Sequence, residues 1–417
     1  MIMSNDTEIS SMSPASFKAK YTFVIKLGMA LHKFGIQAFR LEAELTGISE
    51  LLGLEGSFLA TPTSLTFVLW SPDKENEHTH VVRVQPGNID LGKLADVNQV
   101  VQDLKNETLT VVQAYIRLNE IENCSGLYSN SITLIAFGAS SAGFAMMIGL
   151  DWFNIAWASA LGVVCYLLVF FAGYSQRLST VLEPLTSVVN GILAMGINHL
   201  DPGLNVPLVI LSSIIIFIPG LSITLGLSEL AARELMSGTA RVMDAVMLLF
   251  KLYFGAVLGL AIGSLIWGKT FVPVVTAMPF WSKWLGVLLL SSTLGVVFNV
   301  RTKDIGWAIF SGLLAYVATL MGSFVLGSAM GNFIGAFAVG VYGNLYALFL
   351  KSPASVVLLT GIVVLVPGSK TYMGLDNVIA DSIATQPNIG SETFLIFMSL
   401  VAGLIFANIV ISPRQSL

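Results

Sequence analysis

The chain has 417 residues, 55% of them hydrophobic and only 11% charged. A soluble domain carries about 25% charged residues, so one soluble globule is excluded and an α-helical polytopic membrane protein is expected. The net charge of −4 argues against nucleic acid as a partner, and two cysteines, Cys124 and Cys165, supply neither a metal-ligand spacing nor a disulfide framework.

The charges are unevenly spread. Residues 1–130 hold 25 of the 46, so a water-exposed first part precedes a lipid-embedded remainder. Residues 1–16 are polar and Ser-rich and read as a disordered tail. The apolar stretch that follows is interrupted by Lys26 and Lys33, so no signal peptide is expected and this part stays in the cytoplasm. Residues 17–125 read as a small α+β domain. Leu27, Leu31, Phe34, Ala38, Leu41, Leu45 and Ile48 recur at helical spacing over 17–52, with Gly35 as an interruption and Gly53 as a stop. A strand over 57–70 is broken at Pro62, and a second strand covers 80–84 beyond a polar turn. Two short helices follow, over 90–103 and 107–122. Arg40, Glu42, Glu44, His78 and His80 are the polar residues here that suggest hydrolysis. Glu42 and Glu44 are two apart and do not share a helix face, so no active site is assigned. No enzyme activity, cofactor or metal is expected.

After Asn130 the chain is a series of apolar runs. Ten spans are expected, near 131–150, 152–174, 178–199, 206–227, 244–267, 278–299, 305–326, 328–350, 354–375 and 393–412. They fall into two sets of five, over 131–267 and 278–412, that resemble each other. Trp157, Ala158, Gly162 and Tyr166 match Trp307, Ala308, Gly312 and Tyr316 at an offset of 150. Ile214-Ile215-Ile216-Phe217-Ile218-Pro219-Gly220 with Gly226-Leu227 matches Ile362-Val363-Val364-Leu365-Val366-Pro367-Gly368 with Gly374-Leu375 at an offset of 148. A unit with an odd number of spans inserts its second copy upside down, which is the inverted-repeat plan of many secondary transporters. With both termini in the cytoplasm, the inner connectors and tail carry Arg177, Arg233, Arg241, Arg301, Lys303, Lys351 and Arg414. The outer ones carry Lys269, Lys283 and Lys370, as the positive-inside rule requires.

The site is expected at the matched breaks. Proline removes a helical hydrogen bond, and in lipid the freed carbonyl is tolerated only against protein or a wet cavity. Pro219, Gly220, Ser222 and Thr224 form one candidate substrate-binding set. Pro367, Gly368, Ser369, Lys370, Thr371 and Tyr372 form the other, with Lys370 as a partner for an anionic group. Glu183, inside the third span, is the candidate proton-coupling acid, and Lys251 its candidate partner. Asn190, Asn299, Asn332 and Asn344 line a polar path or tie helices together. Glu229 and Arg233, four apart, read as an ordinary helix pair.

Several stretches resemble the threonine/serine exporter family. They are Gly35-Ile36-Gln37-Ala38-Phe39-Arg40-Leu41-Glu42, Ala60-Thr61-Pro62-Thr63, Val82-Arg83-Val84 and Asp90-Leu91-Gly92-Lys93-Leu94, together with the two Pro-Gly motifs. The likeness runs from about Tyr21 to the C-terminus and corresponds to a fused form, with both membrane halves in one chain. It implies proton-driven export of threonine and serine across the cytoplasmic (inner) membrane. Split relatives imply a dicarboxylate exporter as an alternative, and the family's N-terminal domain a tethered hydrolase. A channel is the remaining class. The partners implied are the small-molecule substrate, protons and the lipid bilayer, with homo-oligomerisation left open.

Overall fold

The computed structural model describes residues 16–85, 89–268, 278–368, 370, 372 and 389–412. The first part is an α+β unit. Ser16 caps α1 (Phe17–Lys33) by accepting from the Ala19 N–H. Gly35 then takes φ +89°, a conformation that favours glycine, and the chain restarts as α2 (Ala38–Leu51). The expected single helix is therefore two, so that their apolar faces can close on one core. Gly53, at φ +66°, stops α2.

Strands β1 (Glu55–Thr61), β2 (Ser64–Trp70) and β3 (Glu77–Arg83) form an antiparallel sheet in the order 1-2-3. The expected 57–70 strand folds into a hairpin, with Thr61 opposite Ser64. Pro62 has no N–H to give a ladder, so it sits in the turn. Leu65, Phe67 and Leu69 alternate onto the buried face, and the Phe67 ring fills the space a Cβ at Gly28 would need. Asp90 caps α3 (Leu91–Lys105), and a capping box of Thr110 and Gln113 starts α4 (Val111–Asn123). Leu27, Leu31, Leu41, Leu45 and Ile48 lose nearly all solvent contact. Burial of each contributes about 1.5–3 kcal/mol.

The membrane part follows. Its helices are α5 (Asn130–Met147), α6 (Trp152–Ala172), the short α7 (Gln176–Thr180), α8 (Leu182–Leu200), α9 (Val206–Ser213) and α10 (Gly220–Ala231). The series continues with α11 (Leu235–Trp267), α12 (Trp281–Val297), α13 (Ile305–Leu326), α14 (Ser328–Leu350), α15 (Ser355–Leu365) and α16 (Ile389–Val410). Where ten spans were expected, six helices among the described residues are long and apolar enough to cross a membrane. The pair α9 and α10, bent by 57°, makes a seventh. Helices α12 and α15 are apolar but shorter, and α8 is diluted by Glu183, Asn190, Asn198 and His199. The third span was expected from residue 178. The helix instead restarts at Leu182, which puts Glu183 in its first turn rather than within it.

Helices α5 and α12 pack antiparallel. The Tyr128 hydroxyl donates to Val300 O at 2.6 Å, Ser140 Oγ to Thr293 Oγ1 at 2.7 Å, and Trp152 packs on Trp281 at 6.0 Å. At their crossing Gly143 and Gly286 leave no room for a Cβ on either side. The two halves share a neighbour pattern: α8 packs on α11 as α14 packs on α16, and α6 on α9 as α13 on α15. Glycines repeat the pattern residue by residue. Gly255 lies on Pro184 and Ser187, and Gly403 on Phe333 and Ala336. Gly191 meets Gly259, and Gly340 meets Ala407. Each member of a pair is separated from its counterpart by 148 or 149 positions.

The α+β unit rests on three connectors far apart in sequence. Ala38 N donates to Glu229 at the end of α10, beside the turn to α11, Leu91 N to Phe298 O after α12, and Asn98 Nδ2 to Lys351 O after α14. All three connectors were expected on the cytoplasmic side.

Candidate functional site

The first break begins where α9 ends. Pro219 lacks the N–H that would continue the ladder. Phe217 N turns to Ile214 O at 2.9 Å and Ile218 N to Ile215 O at 3.2 Å, a tighter 3₁₀ turn. Ser213 O is thereby released from its helical partner. Two side chains from other helices replace it: Ser141 Oγ at 3.3 Å and Cys165 Sγ at 3.2 Å. Asn190 Nδ2 donates to Ser213 Oγ at 2.7 Å and to Cys165 Sγ at 3.1 Å. All four residues are buried. The Asn190 carbonyl oxygen has no hydrogen-bond partner among the described residues.

The second break repeats the local geometry. Helix α15 ends at Leu365, and Gly368 N bonds Val366 O at 2.8 Å, as Gly220 N bonds Ile218 O at 2.8 Å. The two breaks touch reciprocally. A Cβ at Gly220 would collide with Val366, and one at Gly368 would lie 3.0 Å from Ile218 Cγ2. Ile218 and Val366 hold equivalent positions, so each break presents the same surface to the other. The space expected between the breaks is filled by these side chains.

The expected site residues divide accordingly. Pro219, Gly220 and Gly368 lie at the contact, with Pro367 in the second break. Ser222 is half-buried in the first turn of α10, and buried Thr224 bonds Gly220 O at 3.1 Å. Lys370 pairs with Glu392 at 2.7 Å, on side chains that are 42% and 36% exposed, so its charge is answered by the last helix. Tyr372 packs edge-on against Tyr253 of α11 at 5.8 Å. Ser369 and Thr371 lie outside the described residues, as do Asp376 and Asp381. Half-buried Glu183 makes no ion pair with Lys251, which is exposed on α11. Asn344 ties α14 to α16 through Asn408 at 3.0 Å.

One cluster was misread from sequence. Glu229 has no solvent exposure and pairs not with Arg233 but with Arg241, in a two-pronged contact with both distances 3.1 Å. Ser237 Oγ and the Ala38 N–H complete its shell at 3.1 and 3.3 Å, and Gln37 Nε2 reaches Ser228 Oγ at 3.0 Å. Ala38 is the first residue of α2, whose cap Gln37 provides no side-chain bond. Glu229 therefore caps a helix of another domain, where an anion is favoured. Arg233 takes φ +69° in the turn from α10 to α11 and is exposed. The helix pair expected at a spacing of four fails because the helix has already ended.

In the α+β unit, the hydrolysis candidates Glu42 and His78 make hydrogen-bonding and stacking contacts within the unit. Burial pushes the Glu42 carboxyl up, and its Oε1 accepts the Ala60 N–H at 2.7 Å, fixing α2 to β1. His78 stacks on Tyr21 at 3.9 Å. Among the described residues no group of three or more His, Cys, Asp or Glu is placed to hold a metal.

Comparison with known proteins fits this layout. Pheromone-regulated membrane protein 10 of Debaryomyces hansenii is 27% identical over 362 residues, covering 83% of this chain and 35% of its own length. An uncharacterized protein of Schizosaccharomyces pombe is 27% identical over 416 residues, covering 95% of this chain and 54% of its own. The Kluyveromyces lactis pheromone-regulated membrane protein 10 is 24% identical over 424 residues, covering 96% and 44%. The chain thus spans about a third to a half of the length of the curated relatives it matches. No solved structure matches. A threonine/serine exporter family model (ThrE) matches residues 22–263, and a second ThrE model matches residues 283–410. The duplicated breaks and the family matches across both membrane halves lead to one conclusion: the chain belongs to the threonine/serine exporter family.

Proposed function

We propose that the chain is a secondary active exporter of small hydroxy amino acids, threonine and serine, driven by the proton gradient. The observation that carries the reading is the reciprocal contact of two Pro-Gly breaks, Gly220 on Val366 and Gly368 on Ile218. Broken helices at a repeat interface are the substrate sites of many secondary transporters. Antiparallel packing of α5 on α12, and the glycine contacts repeated at a near-constant offset, support a ten-span inverted repeat with the α+β unit on the cytoplasmic side. The α8, α12 and α15 segments then count as spans despite polar content or shortness.

The chemistry at the first break suits an amino acid. The first turn of α10 offers N–H groups and the positive end of a helix dipole to a carboxylate. The open Asn190 carbonyl accepts from an ammonium or hydroxyl group. The candidate set is Pro219, Gly220, Ser222, Thr224, Pro367, Gly368, Ser369, Lys370, Thr371 and Tyr372, to which Asn190 and Ser213 are added. Glu183 is the proposed proton carrier. Its counterpart in the second half is Asn332, so both halves keep a polar residue at that position. The test is counterflow of labelled threonine in proteoliposomes, with and without a pH gradient. Saturable, gradient-sensitive flux is expected. Flux that never saturates would identify a channel, and flux of succinate alone a dicarboxylate exporter.

A further inference from the structure

A polar cavity lies apart from both breaks. It has a volume of about 210 Å³ and sits between α3 and the connectors that follow α12 and α14. Asn98, Arg301, Lys303, Asp304, Lys351 and Ser352 form its polar wall. It shares no lining residue with either break.

The wall is preorganised around Arg301. Nε donates to Asp304 Oδ2 at 2.7 Å and Nη2 to Ser352 Oγ at 2.8 Å, and Nη1 lies 3.5 Å from Asp96. Asp304 is buried and also receives the Tyr346 hydroxyl at 2.8 Å. Its charge is committed to Arg301. Lys303 and Lys351 are exposed and form no ion pair among the described residues, so the wall carries two unanswered positive charges. Asn98 is 2% exposed, and its Nδ2 donates to Lys351 O at 3.1 Å, which fixes the orientation of the amide. The Asn98 carbonyl oxygen is left without a partner among the described residues.

Exposed cations and a buried acceptor without a partner among the described residues, both in the lining, suit the two ends of a zwitterion. A cavity of about 210 Å³ has room for a compact amino acid. We propose that this cavity is a cytoplasm-facing binding site for a small α-amino acid, distinct from the translocation path. The carboxylate lies on Lys303 and Lys351, with Arg301 as the fixed third cation. The ammonium lies toward the Asn98 side of the wall. The bound molecule bridges α3 to both connectors. The inference rests on the amino-acid exporter reading for the identity of the ligand.

The test is equilibrium binding of labelled L-serine to the purified full chain in nanodiscs of neutral lipid. Wild type is expected to bind at two sites. The double variant Lys303→Gln, Lys351→Gln, changed only at exposed positions, is expected to weaken one of them by about tenfold or more. Asn98→Leu is expected to remove the preference of that site for serine over lactate, which lacks the ammonium. An isotherm unchanged in the double variant overturns the proposal. So does competition by inorganic phosphate or by ethanolamine as strong as that by serine. Counterflow through wild-type proteoliposomes reads the exporter assignment separately: positive counterflow with an unchanged variant isotherm sinks the cavity site alone.

Discussion

Replacing Glu229 tests whether the α+β unit is fastened to the broken helix. Glu229 is fully buried and answers Arg241, Ser237 and the Ala38 N–H together, whereas the Arg241 side chain keeps 25% exposure. Removing one partner of a fully buried ion pair costs about 3–5 kcal/mol. Water reaching Arg241 lowers that figure. Glu229→Gln retains one acceptor oxygen, so about 2–3 kcal/mol is expected. Glu229→Ala leaves all three donors unanswered and should approach the upper end of the buried-pair range. The assay is thermal unfolding of the purified protein in detergent, run as a double-mutant cycle. Glu229→Gln and Arg241→Gln should couple by more than about 1 kcal/mol. Arg233→Gln should stay within about 0.5 kcal/mol, as for an exposed site away from any partner. Limited proteolysis between α4 and α5 should accelerate in Glu229→Ala. Equal costs for Arg233→Gln and Arg241→Gln, or strict additivity of the cycle, would refute the reasoning.

Other expectations follow from the same geometry. Gly220→Ala introduces a Cβ against Val366 and should abolish counterflow, with Val366→Ala restoring part of it; Gly368→Ala, whose Cβ meets Ile218 at 3.0 Å, should be milder. Wild-type flux in Gly220→Ala would discount the break contact. Pro219→Ala and Pro367→Ala should lower transport more than expression, as read by flux per unit of reconstituted protein. Burial holds the His32 imidazole below its ordinary value, against the Pro62 carbonyl that pulls it up. Its contribution is therefore present above a pH of about 6.5 and is lost as pH falls through the folded value. Melting of the α+β unit should weaken in that acid window, and His32→Gln should flatten the dependence. Glu183→Gln should remove the response of flux to a pH gradient while exchange continues; an unchanged response would take Glu183 out of the coupling.

Much of this was legible because it is local. Gly35 and Gly53 mark turns through backbone conformation alone, and Pro62 breaks a strand for want of one N–H. The proposed repeat is read from Trp and Tyr recurring at an offset of 150 and Pro-Gly at 148. The Glu229 site was not. Its partners are Arg241, 12 positions on and across a helix–turn–helix, and Ala38, 191 positions back. No periodicity links such positions, and the nearer Arg233 offered a false pair at helical spacing. The seating of the α+β unit on three connectors was hidden for the same reason. The pairing of Lys370 with Glu392, 22 positions away, was equally out of reach of any local pattern.

Helix α10 joins what the sequence kept apart. Its first residue is Gly220 at the break, and Glu229 lies in its last turn, so nine residue steps, about 14 Å of helix, separate the two. The same helix touches α15 and α16 of the other half. A rigid element of this length cannot tilt at one end without displacing the other. Motion at the Gly220–Val366 contact therefore strains the Glu229 cluster, and the cost of opening that cluster adds to the cost of opening the break. The coupling is testable with one variant. If α10 moves as a unit, Glu229→Gln should change the temperature dependence of counterflow although Glu229 touches neither break. If flux in Glu229→Gln follows wild type at every temperature while the α+β unit is measurably loosened, α10 is hinged between its ends and the two sites are independent.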